Sequence, residues 1–261
     1  MRWSWARHLL LCPLAAALLL GLSSCGASET LVHFEGSSAK ITRPTLDHWM
    51  GVLVASDFLT YLHHPAPVGL ASEPADYSKC LEAGKKLAPR SSTGALELSD
   101  AQISGKCREL HQTIRSQALD FLINVQWLIR EGEEHGLRVS DAEVRREFPS
   151  YAKGLYGAQA NQRKYFAERQ MTLADAMYQL KRATLYKRLT LKFRDEVAKI
   201  GGGQRTFVRL TLARYNGVIA KTICKAGYVI LGCKGYREPA TLPPPFWVTL
   251  EGFTKVQRER G

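Results

Sequence analysis

The sequence predicts an all-α fold, and three observations carry that prediction. Apolar residues recur every three or four positions along most of the chain. Helix-start signatures, a Ser or Thr with Gln, Glu or Asp three residues on, open three of these stripes. No alternating strand pattern with a hairpin turn is evident before residue 224.

The elements follow in order. Thr42-Arg43-Pro44 reads as a helix start, because Thr can cap and Pro fits the first turn. Leu46, Trp49, Met50, Leu53 and Val54 then recur at helical spacing. Pro65, Pro67 and Pro74 end this element, and a loop is expected as far as Gly94. Ser99 with Gln102 forms a capping-box pattern. Beyond it, Leu110, Ile114, Ala118, Phe121, Leu122, Val125, Leu128 and Ile129 make the longest apolar stripe in the chain. That stripe predicts a long central helix reaching Glu134 and ended by His135-Gly136.

Ser140 with Glu143 opens the next helix, with Val144, Phe148 and Tyr151 inward. Thr172 with Asp175 opens another, carrying Leu173, Met177 and Leu180, then Leu185, Leu189, Phe193, Val197 and Ile200 inward. Gly201-Gly202-Gly203 breaks it. A last helix is expected from Gln204 to about Lys221, with Phe207, Leu210, Leu212, Tyr215 and Val218 partly inward.

The first residues read as an export signal. Arg2, Arg7 and His8 precede an apolar run from Leu9 to Leu22, which is short for a spanning helix. Leu22-Ser23-Ser24-Cys25 resembles the bacterial lipobox, which implies acylation of Cys25 and a lipid anchor. Residues 1–24 are therefore expected to be a lipoprotein signal peptide and 25–40 a small, polar tether. The helical domain is expected over 41–236, with a disordered, Pro-rich tail over 237–261.

Export places the remaining cysteines in an oxidising compartment. Cys80, Cys107, Cys224 and Cys233 admit three pairings, and sequence neighbours are the simplest: Cys80 with Cys107, and Cys224 with Cys233. No Cys-x-x-Cys or nearby His supports zinc, so no metal or other cofactor is expected. The chain is basic, with formal charge +12, much of it between Lys153 and Lys199. For an exported protein that excess favours a solvated helix face or contact with acidic surfaces, and not nucleic acid.

Phe121-Leu122-Ile123, Trp127 to Gly132 and Gly136 to Val144 resemble the amino-terminal domain of the SurA and PrsA foldases. There a long helix ends in a turn, and a Val-Ser-Asp-Ala-Glu-Val phrase starts the next helix. Ile41-Thr42 with Asp47-His48-Trp49, Met171 to Leu191, and Thr222 to Cys233 also resemble pieces of that group, in order. The resemblance implies a SurA-N-like helical chaperone domain closed by a small disulfide-clipped segment. Its expected partners are unfolded or nascent exported polypeptides and, through the anchor, a membrane.

Many members insert a parvulin-type prolyl isomerase domain where this chain has only Gly201 to Gly203, so no catalytic residue is transferred. A residual isomerase role and a single-partner adaptor lipoprotein are the alternative functions. His63-His64, the acids Glu131, Glu133 and Glu134, and the glycine run read as exposed features without catalytic partners. Aromatic and Met side chains adapt to many shapes. Tyr151, Tyr156, Tyr165, Phe166 and Met171 are therefore the candidate client-binding residues, on a segment expected to form a mobile lip.

Overall fold

A computed structural model describes residues 28–62, 65–66, 71, 77–87 and 98–237. The expected export signal, Cys25, His63-His64 and the tail beyond Arg237 lie outside the described residues. Those described form seven α-helices and a small antiparallel sheet: β1 (Thr30–Phe34), β2 (Lys40–Thr42), α1 (Arg43–Asp57), α2 (Ser78–Leu87), α3 (Asp100–Glu134), α4 (Asp141–Tyr156), α5 (Gln159–Glu168), α6 (Leu173–Ile200), α7 (Gly203–Ile219) and β3 (Thr222–Cys224). The helical class holds, with one addition.

That addition is the sheet. Strand order is β2-β1-β3, with Val32 opposite Ile41 on one side and Cys224 on the other. The composition of residues 25–40 predicts a tether that includes residues 30–34. Instead Leu31, Val32 and Phe34 are buried. The strand is too short and too dependent on a distant partner to announce itself locally: β1 completes its hydrogen bonds with a segment about 190 residues away, and that pairing is tertiary. Ion pairs pin its approach, since Glu29 meets Arg43 at 2.5 Å and also contacts Lys225.

Helix α2 is a second correction, because a loop was expected there. Its apolar face is short (Cys80, Ala83), and it is held by tertiary attachment to α3 through the Cys80–Cys107 disulfide. The other disulfide joins Cys224 to Cys233 and closes a run of turns after β3. Within this clip Tyr228 is buried, with the guanidinium groups of Arg43 and Arg115 at 5.4 and 5.2 Å from its ring. Gly232 approaches so closely that an added Cβ would lie 3.1 Å from Ile123 of α3.

Helix α3 organises the rest. Its 35 residues run about 50 Å at 1.5 Å per residue. Ser99 and Gln102 form the full capping box at its start. Its N-terminal half packs Ile103, Leu110, Ile114 and Leu119 into a core with the sheet, α1 and α2. Its C-terminal half packs Trp127 and Leu128 into a second core with Val139, Val144, Leu180, Leu185, Leu189 and Phe193. At Gly132 the helices approach so closely that a Cβ would lie 2.7 Å from the Leu137 carbonyl oxygen and 3.1 Å from Leu185 Cδ2. The turn that follows requires the positive φ of Gly136, 68°.

The other starts are mixed. Thr172 and Asp175 make a complete capping box. Ser140 caps the Glu143 N–H, whereas the Glu143 carboxylate pairs with Arg188. Thr42 occupies the N-cap position but makes no capping bond; its hydroxyl pairs with that of Thr45 at 2.9 Å. Leu173, Ile200 and Leu212, expected inward, are more than half exposed. Each lies on its helix where no neighbouring element among the described residues covers it.

Two measurements test this arrangement. Replacing Cys80 and Cys107 by Ala opens a loop of 27 residues separation, which lowers stability by about 3–4 kcal/mol in the chain-entropy model. Thermal unfolding then falls by roughly 6–16 °C for a domain of this size. Burial at the end of α1 also pushes the Asp57 carboxyl from its ordinary 3.8 up to about 6. The folded state therefore keeps this proton to higher pH than the unfolded chain, and stability falls as pH rises through 6. Asp57→Asn is expected to stabilise by about 1–3 kcal/mol above pH 6. Denaturant titrations should show the difference fading near pH 4.

Candidate functional site

The candidate residues gather where α4, α5 and the start of α6 meet. Tyr151 and Tyr156 lie edge to face at 6.3 Å, and Tyr156 packs against Tyr165 at 4.5 Å and Phe166 at 5.3 Å. Phe148 extends the row to Tyr151 at 6.5 Å. Tyr156 and Met171 are buried, while Tyr151, Tyr165 and Phe166 are half-buried. Arg169 stacks over the Tyr165 ring at 3.7 Å, and the Met171 N–H donates to the Phe166 carbonyl at 2.9 Å. Burial pushes the Tyr156 phenol up to about 12 and raises that of Tyr151. All five residues are thus brought together, within two regular helices and the turn after them where a lip was expected.

Helix α5 is attached through rings. None of its described side chains is buried, and Tyr165 and Phe166 are its apolar contacts with the frame. A helix of 10 residues has little stability of its own. Few buried contacts place it at the low end of local unfolding free energies. Its displacement would uncover Tyr156, Phe166 and Met171 together. A second aromatic row lies deeper, where Trp49, Phe121 and Tyr178 pack at 4.6–6.2 Å between α1, α3 and α6.

Charge holds the C-terminal end of α3. Arg214 of α7 donates to Glu131 of α3 at 2.9 Å and to Glu196 of α6 at 2.8 Å, and contacts His135. Its guanidinium also lies 4.2 Å above the Phe193 ring. His135 is 3.3 Å from Glu131 and 3.6 Å from Glu196. The sequence places all three acids at the end of α3 in solvent. Glu133 and Glu134 are exposed, but Glu131 is only 4 % exposed. Its partner is 83 residues away, and no local pattern could have shown that pairing.

His48 and Asp175 form a pair at 2.8 Å. Burial pushes the Asp175 carboxyl up, but hydrogen bonds from Thr172 and His48 outweigh it and hold the group low. The pair thereby secures α1 to the cap of α6. Among the described residues no group of three or more His, Cys, Asp and Glu could hold a metal ion, and no helix is long and apolar enough to cross a membrane. No protein-family model, no curated protein and no solved structure matches this chain.

The sequence missed several outward apolar side chains, among them Leu155 on α4 and Tyr186 on α6. Leu155 continues the three-four spacing of Val144, Phe148 and Tyr151 and is still 58 % exposed, so periodicity carried no signal of its exposure.

The ionic node makes a testable demand. Arg214→Leu leaves the buried Glu131 without its main counter-charge, a loss of about 3–5 kcal/mol. Adding Glu131→Gln should recover a substantial part. A double-mutant cycle by denaturant unfolding would read the coupling, and simple additivity would show the node to be inert.

Proposed function

We propose that the chain is a membrane-anchored extracytoplasmic chaperone, a holdase that binds unfolded exported polypeptides through the α4–α5 aromatic cluster. The observation that carries this reading is the attachment of α5, a short helix held to a stapled two-core frame by half-buried rings. A site of this kind can offer apolar surface to many sequences and cover it again when empty, which keeps the resting protein soluble. Aromatic side chains supply large contact area at small entropic cost.

The finer features rest on the sequence. The lipobox-like Leu22-Ser23-Ser24-Cys25 supports anchoring through Cys25, and the pattern from Phe121 to Val144 supports a SurA-N-like domain. Two disulfides suit an oxidising compartment. The three residues Gly201 to Gly203 leave no room for a catalytic module between α6 and α7.

Light scattering of several unrelated unfolding clients tests the proposal. The chain is expected to suppress aggregation at near-equal molar ratio. Tyr165→Ser with Phe166→Ser should raise the concentration for half-suppression about tenfold, the equivalent of roughly 1.4 kcal/mol in affinity. Suppression of none of the clients would sink the proposal. Undiminished suppression by the double variant would remove the α4–α5 cluster as its site.

A further inference from the structure

Helix α7 has one face used and one face unclaimed. Arg214 enters the node with Glu131 and Glu196, while Phe207, Tyr215 and Val218 pack on the second core. The opposite face carries Gln204, Arg205, Val208, Arg209, Leu212 and Asn216 around a wide, open hollow of about 590 Å³. Val208 and Leu212 are 44 % and 54 % exposed, as is Ile200 just before the helix at 66 %. Helix α7 contains no Asp or Glu. Arg205 and Arg209 stand one turn apart beside the exposed apolar residues, with no carboxylate partner among the described residues.

That combination has a physical meaning. Single exposed apolar side chains are ordinary, but Val208 and Leu212 adjoin each other around one hollow, and clustered apolar surface of this kind marks an interaction site. Several exposed cations elsewhere pair with acids, as Lys181 does with Asp141 and Lys85 with Asp100. Here an acid-free face sets two guanidinium groups beside a valine and a leucine. A guanidinium matches a phosphate with two parallel hydrogen bonds, and the neighbouring apolar side chains can enter the boundary between headgroups and acyl chains. A neutral protein surface would use the leucine and waste the arginines; free phosphate would do the reverse.

We propose that the outer face of α7 docks on an anionic phospholipid surface, with Arg205 and Arg209 on headgroup phosphates and Val208 and Leu212 at the interface. This contact is separate from client binding at α4–α5, which lies on other helices. It would fix the orientation of the domain on the bilayer.

Hydrogen–deuterium exchange of the full chain tests this docking, read on peptides from residues 203–219. The chain is mixed with vesicles of phosphatidylcholine alone or of phosphatidylcholine with phosphatidylglycerol. Exchange in α7 is expected to slow several-fold only with the anionic vesicles, while peptides from α3 stay unchanged. High salt should abolish the effect, because each basic residue at such a surface contributes by screened attraction. Arg205→Gln with Arg209→Gln should abolish it too, without altering helical content. Equal slowing on neutral vesicles, no slowing on either, or slowing retained in the double variant would each overturn the proposal. Slowing by an unfolded acidic polypeptide without lipid would reassign the face to protein binding and overturn it as well.

Discussion

One helix must serve two cores, and the rest of the architecture follows from that constraint. A 35-residue helix of about 50 Å is too long for a single core of this size to cover. Helix α3 divides the work along its length, with the sheet, α1 and α2 around its first half and α4 and α6 around its second. Because the same rigid rod runs through both, the two cores are fixed relative to each other without a hinge. The absence of a Cβ at Gly132 allows the chain after α3 to return close enough for Leu185 to pack.

Both ends of this rod are secured by groups distant in sequence. Near its start, Cys107 is bonded to Cys80. Along its middle, Ile123 meets Gly232 of the C-terminal clip, and Arg115 lies over Tyr228. At its end, Glu131 and His135 meet Arg214 and Glu196. The strands β1 and β3 bring the two described ends of the chain side by side, so the fold is closed as well as packed. Against this rigidity α5 stands apart, held by rings and exposed over most of its length. Rigid scaffold and loosely seated helix suit a protein that changes its surface without changing its frame.

Most of the helical plan was legible because its signals are local. Capping boxes at Ser99 and Thr172, the three-four stripe from Leu110 to Leu128 and the stop at Gly136 involve residues within a few turns of one another. Of the candidate site, the membership was readable, since Tyr151, Tyr156, Tyr165, Phe166 and Met171 do gather in space. Its form was not. Gly154, Gly157 and Asn161 suggest a loose segment, yet the chain forms two helices because the rings that face inward at helical spacing can pack on each other. Leu173, Ile200 and Leu212 fit apolar stripes and still face solvent, because a stripe predicts a face and says nothing about what covers it.

The sequence by itself determined the helical class, the positions of most helix ends, the basic surface and the residues of the aromatic cluster. Periodicity, capping and composition act over short distances, and a reader of the chain sees the same neighbours that the folding chain sees. Only the tertiary structure decided that residues 30–34 form a strand, that Ser78–Leu87 is a helix, that Glu131 is buried and that the outer face of α7 is left uncovered. Each of these depends on a partner far along the chain: β3 for the strand, Cys107 for the helix, Arg214 for the acid, and for α7 the lack of any described element to cover it. Burial and long-range pairing are properties of the assembled chain, and no window of sequence contains them.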